Sequence, residues 1–483
     1  MHGLVDRVLL DGRSLTGADV ERIARMEVAV DVDRDAREHV RRAREAALAV
    51  AERRPVYGLS TGVGALREVE VQEAGEHGMR LLRSHAACTG PVEDPAVVRA
   101  TLAVRLNQLL AGGSGVRTDV VDALAETLAT ASMPYVHRYG ALGTGDLSPL
   151  AEIGLTVAGE LPWRVGGVPP TTFAAGEALA FMSSNALTVA TATLASRAVT
   201  RVLEASHAVA ALSFLALQGN AEAYAAAVHD ARPHDGSVRV AAELRRLLGP
   251  PAPSRRIQDP FALRAVPQVN GAAVEALHRV RDVLDVEMNA AVENPLVVTD
   301  GGPTVLHHGQ FHATEVASAL DSARLAVSSV TALSTGRLAA LFEPDLTGLS
   351  VFLASGPAGA SGLLVLEYVA HDVLAEVQHA ATPVTTGTAV ISRGLEDHAS
   401  FATQAARFTT DLAELVPTVL GCELVAAVRA LRAAPDRLVD APVREAFAIA
   451  DAALPKGTED RPCRDDIAVA ADLLPELAAL AFP

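Results

Sequence analysis

The chain has 483 residues, half of them hydrophobic but only 4% aromatic, and a formal net charge of −17. A core of Ala, Leu and Val with so few rings favours long, closely packed helices over aromatic-rich strands, and the length exceeds one compact core. The acidic balance excludes a nucleic-acid partner that must be held by surplus Lys and Arg, and the apolar runs, such as 205–218, are broken by charge before bilayer-spanning length, so no membrane span is expected.

In chain order, Met1–Val20 already carries Asp6, Arg7, Asp11 and Arg13, so no apolar leader is read there and a cytoplasmic protein is expected. The spacing predicts a helix over 35–54, followed by a glycine-punctuated loop, Tyr57-Gly58-Leu59-Ser60-Thr61-Gly62-Val63-Gly64. A second helix over 95–111 stops at Gly112-Gly113, and a second loop runs from Tyr139 through Gly145 to Pro149. Long helices are predicted over 177–218, 272–292, 312–341, 362–381 and 397–432, with a Pro-rich break at 249–260. The division expected is an N-terminal lobe carrying both loops, 1–200, and a long-helix bundle and oligomerisation domain, 201–483.

Several patterns have an ordinary reading that suffices. Gly58 to Gly62 fits GxSxG, yet the preceding Ala51–Pro55 is no buried strand, so a glycine turn is expected rather than a hydrolase elbow. His307, His308 and His312 lack the HExxH or Cys company of a metal site, and Cys88, Cys422 and Cys463 are too scattered for a disulfide framework, so no metal is expected.

A longer series of motifs is more specific: Tyr57 to Gly64; Arg83-Ser84-His85-Ala86-Ala87; Leu106 to Leu110 through Arg117; Gly143-Thr144-Gly145-Asp146-Leu147-Ser148-Pro149-Leu150; Arg232-Pro233-His234; Gln258 to Arg264 with Pro267-Gln268-Val269; Glu287 to Leu296; Gly309-Gln310-Phe311-His312; and Glu396-Asp397-His398. In this order they resemble the histidine/phenylalanine ammonia-lyase family across most of the chain. The resemblance implies an all-α, fumarase/aspartase-like helical subunit, with a long central bundle and a smaller loop-rich N-terminal lobe. It also implies a homotetramer with active sites shared between chains, and a self-made imidazolone electrophile in place of any external cofactor.

In that family the electrophile comes from Ala-Ser-Gly, and the aligned residues here are Gly143-Thr144-Gly145. The glycine amide nitrogen must attack the carbonyl two residues back, which a residue without Cβ leaves uncrowded. The Thr144 methyl would turn the methylidene into an ethylidene, more hindered at the carbon that substrate must reach. Intact Ala-Ser-Gly tripeptides at 354–356 and 360–362 lack the following Asp-Leu-x-Pro and read as turns. Two more departures are Phe261, where the family has Tyr, and Ser183, where it has Asn, with Asn185 two residues late.

Carried over residue by residue, Tyr57 is the β-proton acceptor and Arg264 the carboxylate clamp, a task suited to its planar fork of donors. His85 and Glu396 select the ring, and Gln258, Ser183 and Phe311 bind substrate. Glu396-Asp397 has an alternative reading as the cap of the helix that follows. These positions imply an ammonia-lyase with histidine favoured and tyrosine next. The alternatives are a paralogue acting on another amino acid or as a 2,3-aminomutase, with or without the ring, and a catalytically silent oligomer.

Overall fold

The computed structural model describes residues 6–251 and 254–481; Met1 to Val5 of the opening segment and positions 252–253 of the Pro-rich break lie outside the described residues. Helix accounts for 59% of the chain, as the aromatic-poor, Ala- and Leu-rich composition implies. Among the described residues the strands are short and form four two-stranded ribbons, none of which the sequence announced. One is parallel, Arg7–Leu10 beside Ala29–Val32, and Leu296–Val298 beside Thr304–Leu306 is an antiparallel hairpin.

The chain clusters into two compact units drawn from alternating stretches: 1–195, 280–320 and 384–407 form the first, and 196–279, 321–383 and 408–483 the second. The chain passes between the units several times, which hydrophobic periodicity does not show, because it marks where a helix is and not which core each part of it joins.

In the first unit, local chemistry starts the helices where the chain supplies caps. Thr16 and Asp19 form a capping box ahead of Gly17–Ala24, Asp33 accepts the Ala36 N–H ahead of Arg34–Ala51, and Asp94 with Pro95 opens Pro95–Leu110. The helix expected over 177–218 is two helices, Glu177–Met182 and Ala186–Leu217. At the break, Ser184 Oγ accepts the Ala186 N–H and donates to Gln108 Oε1, a local competitor to the helical bond. The helix expected from 397 begins at Ala402, after Phe401 adopts a φ of +54° and donates its N–H to the Leu142 carbonyl. Glu396 and Asp397 therefore do not cap it.

In the second unit, buried arginines tie helices together. Arg324 donates to Asp321 and to the carbonyls of Ala380 and Thr382. Arg337 forms a fork with Glu423. The Ala-Ser-Gly at 360–362 is a turn held by Asp460, which accepts the N–H groups of Ser361 and Gly362. At 354–356 the glycine takes a φ of +130° and Ser355 Oγ accepts from Thr458.

Among the described residues, two helical stretches reach the length and hydropathy of a membrane span, 177–217 and 314–342. The apolar window of the first is 89% buried inside the protein, and the second carries the paired Arg324 and Arg337. The first serves here as a core helix, and the window of the second is 56% buried.

Candidate active site

A cavity of about 460 Å³ opens within the first unit, lined by Tyr57, Thr61, Arg67, Thr144, Ser183, Asn294, His307, Phe311 and Glu396, with Pro55, Leu147, Leu179 and Leu395 as its apolar wall. Five of the residues named from sequence thus converge: Tyr57, Thr144, Ser183, Phe311 and Glu396.

The Tyr57–Gly64 loop folds as a turn, with Ser60 Oγ bonded to the Val56 N–H and carbonyl, so the GxSxG serine serves its own backbone. The turn sets Tyr57 against the cavity, where its phenol oxygen accepts the Gly64 N–H at 2.7 Å. Burial raises the Tyr57 pKa, and the nearby Glu396 charge adds to this, while the Gly64 N–H and Arg67 oppose it. Glu396 is itself raised by burial, with His85 pulling the other way. His85 does not line the cavity; its Nδ1 lies 2.9 Å from the Leu81 carbonyl and 3.0 Å from Ser84 Oγ.

Loop 142–146 is held from every side. The carbonyl oxygen of Gly143 accepts from Ser400 Oγ at 2.7 Å and from the Ala313 N–H at 3.0 Å. The Gly145 N–H donates to Asn185 Oδ1 at 2.9 Å, and Asn185 Nδ2 donates to the Phe311 carbonyl. Asp146, fully buried, accepts from the Thr188 N–H and Oγ1, and burial pushes its carboxyl up to about 6. The helices Leu147–Val157 and Ala186–Leu217 both start beside this loop, so partial positive charge from their first turns gathers there.

Both glycines are required by geometry. Gly143 and Gly145 have φ of +76° and +98°. A Cβ at Gly143 would fall onto Ser400 Oγ and within 2.6 Å of the Ala402 nitrogen. The family's alanine therefore does not fit this loop as it stands, so Gly143 is a larger departure than its small size suggests. A self-made electrophile fits the rest of the arrangement: Thr144 lines the cavity between two left-handed glycines, and the Gly145 amide nitrogen is oriented by a buried side chain.

Sequence reasoning named Ser183 in place of the family's asparagine. The Ser183 hydroxyl accepts the Asn294 N–H at 3.2 Å, whereas Asn185 reaches the loop itself. The break between the two helices at 183–185 brings Asn185 round, which a register count along one helix misses. In the sequence, His307 stands in a histidine run without the company of a metal site. It lines the cavity, its Nε2 accepts the Tyr57 N–H at 3.3 Å, and its ring meets that of Tyr57 edge-on. Asn294 lay inside a quoted motif, and Arg67 carried no sequence signal.

Gln258, Phe261 and Arg264 belong to the second unit and are not among the residues lining the cavity. There the Arg264 guanidinium stacks 4.0 Å over the Phe261 ring, its Nε is buried without a hydrogen-bond partner, and Phe261 is 68% exposed. Asp259 pairs with Arg256, so it does not engage Arg264.

The aromatic amino acid lyase family model matches residues 15–451. The chain belongs to that family. It is 35% identical to the histidine ammonia-lyase of Geobacillus thermodenitrificans, over 88% of each chain. Among solved structures it is similar to the ergothioneine-degrading ergothionase of Treponema denticola, with TM-score 0.92, 25% identity and coverage of 99% of this chain and 100% of that one. It is also similar to the tyrosine aminomutase of Streptomyces globisporus, with TM-score 0.90, 28% identity and coverage of 98% and 97%. This lyase is thus an aromatic amino acid ammonia-lyase, a carbon–nitrogen lyase of a family that makes its own electrophile and takes no external cofactor.

Proposed function

We propose that this lyase eliminates ammonia from histidine, with tyrosine next, to give the α,β-unsaturated acid, using an imidazolone formed from Gly143, Thr144 and Gly145. The observation that carries the reading is the single cavity in which Thr144 faces Tyr57 and Glu396. Such a ring supplies an electron sink that turns the α-amino group into a leaving group. The protein's own residues do the rest. Tyr57 is placed to accept the β-proton as its phenolate, a form that the Gly64 N–H favours and burial opposes. Glu396 and His307 offer polar partners to an imidazole or a phenol, which a benzene ring would leave unpaired.

The carboxylate clamp in this reading is Arg264 with Gln258 beside it, contributed by a neighbouring copy in a cytoplasmic homotetramer. The exposed Phe261 ring stacked against Arg264 is what a surface that meets another chain would show. Phe261 cannot repeat the proton transfer of a tyrosine, which leaves Tyr57 as the base.

The test is ammonia release measured across histidine, tyrosine and phenylalanine, with the mass of the peptide spanning Gly143 to Gly145. The expected result is turnover highest on histidine and a deficit of two waters in that peptide. Thr144→Ser should keep the deficit and raise turnover. An unmodified peptide rejects the electrophile.

A second reading is favoured by Thr144 together with the likeness to ergothionase. A substrate of the ergothioneine kind, a histidine betaine, carries a fully alkylated nitrogen that departs as a neutral amine. Removal of the β-proton by Tyr57 would then suffice, with no electrophile at Thr144. Amine release from a betaine by unmodified protein supports it.

A further inference from the structure

The hydrogen bonds on the Gly143 carbonyl point to a role that its neighbours have in making the site rather than using it. We infer that Ser400, with the Ala313 N–H, forms an oxyanion hole for closure of the 143–145 ring. The inference rests on the reading above that this tripeptide cyclises.

Ring closure needs three things at once: a carbonyl carbon made electrophilic, an amide nitrogen held against it, and a bend that brings the two together. Two donors on one carbonyl oxygen supply the first. They draw electron density from the carbon before attack and stabilise the negative oxygen afterwards. Both are fixed beforehand. Ser400 is 3% exposed, and its Oγ also accepts the Ala402 N–H at 3.3 Å, so the hydroxyl hydrogen is left to point at the Gly143 oxygen. Ala313 donates from the turn ahead of the helix Thr314–Phe342.

Asn185 supplies the second requirement. Its Oδ1 accepts the Gly145 N–H, which orients the nitrogen and raises its electron density, while its own amide is anchored on the Phe311 carbonyl. The third comes from the left-handed backbone at Gly143 and Gly145. The Leu142 carbonyl is pinned by Phe401 and the Asp146 N–H by Ser184, so the bend cannot relax by unwinding at either end.

The atoms balance without a co-reactant. The Gly145 nitrogen bonds to the Gly143 carbonyl carbon, and the π pair moves onto the oxygen between Ser400 and Ala313. That oxygen takes the proton from the Gly145 nitrogen and then leaves as water with the proton of the Thr144 nitrogen, as the C=N bond forms. A second water, from the Thr144 hydroxyl and its Cα hydrogen, leaves the alkene.

This role also accounts for glycine at 143. The space its Cβ would take is filled by the donor hydroxyl itself and by the backbone that holds it. Geometry at the carbonyl has been kept at the expense of a side chain.

The experiment follows maturation rather than turnover. Full-length wild type, Ser400→Ala, Ser400→Thr and Ser400→Cys are synthesised in a pulse, and the fraction of the 143–145 peptide that has lost water is followed by mass spectrometry. Ser400→Ala should lose water on the order of 10²-fold more slowly, the usual cost of one oxyanion donor. Ser400→Thr, which keeps the hydroxyl, should stay within a few-fold of wild type. Should Ser400→Ala fail to fold, Ser400→Cys decides, because it keeps the shape and weakens the donor. A wild type that loses water while Ser400→Cys does so at the same rate overturns the oxyanion hole and leaves the electrophile standing. A wild type that never loses water overturns both.

Discussion

Glu423, in the second unit, has both oxygens occupied: it accepts from Ser213 and Ser334 and takes the Arg337 fork at 2.7 and 2.9 Å. Glu293, in the first unit, holds Arg105 through Oε1 alone at 2.8 Å, and its Oε2 is buried without a hydrogen-bond partner. Both pairs are fully buried. Taking charges out of water is repaid only when geometry and the remaining lone pairs are satisfied, and the first pair meets that condition while the second does not. The difference follows from what each arginine also does. Within its unit, Arg337 gives its remaining nitrogen to the Ala262 carbonyl and clamps helix to helix. Besides Gln108 Oε1, Arg105 donates to the carbonyls of Ala180 and Phe181, where the chain turns toward Ser183 and Asn185. The complete pair supports a core, and the incomplete one shapes the backbone beside a cavity. Burial accordingly raises the Glu293 pKa.

The comparison is broken or upheld most directly by matched amide substitutions. Glu423→Gln places an NH₂ group among donors and leaves Arg337 without its counter-charge, which should cost about 3–5 kcal/mol in urea unfolding. Glu293→Gln likewise removes the counter-charge of Arg105, but it can keep its carbonyl on that arginine and its amide displaces no existing donor, so its cost should be smaller by about 1–2 kcal/mol. Equal losses would mean that the empty lone pair at Glu293 has no energetic meaning.

Next in size is Gly143→Ala. The added Cβ must push Ser400 and the backbone at Ala402 away from the loop, at about 1–3 kcal/mol by the usual cost of overpacking. If Gly143→Ala is instead neutral in denaturant unfolding, the loop is looser than its hydrogen bonds describe.

Much of this was legible in the sequence, and the limits have physical causes. Helix positions came from hydrophobic spacing, and Tyr57, Thr144 and Glu396 from motifs that pack residue types tightly along the chain. The break at 183–185 was hidden because its cause is a side chain, Ser184, competing for a backbone bond with help from Gln108, 76 residues earlier. Ser400 reaches the Gly143 carbonyl from 257 residues further along, and no local pattern marks a residue whose partner is so far along the chain. The space that Gly143 leaves is likewise a property of Ala402's backbone, which spacing cannot show.

The smallest effect sharpens the comparison by pH. In the first unit, burial pushes Glu287 up to about 7, with Glu315 adding to it, and Asp146 up to about 6. In the second, burial pushes His207 down to about 3, with Arg337 and Arg239 contributing. The signs are opposite. Between the ordinary carboxylate range and pH 7 the folded protein holds more protons than the unfolded chain at Glu287 and Asp146, so those groups make stability fall as pH rises through that window. Below its ordinary value of 6.5 the folded protein holds fewer protons at His207, so that group makes stability fall as pH drops. Near pH 6 the contributions oppose one another, and each is worth at most about 1.4 kcal/mol per pH unit. Glu287→Gln should therefore gain stability relative to wild type as pH is raised from about 5 to about 7, while His207→Gln should gain as pH is lowered over the same range. Urea unfolding of both variants at those pH values reads the two slopes, and parallel slopes would show that the units do not differ in how they carry buried charge.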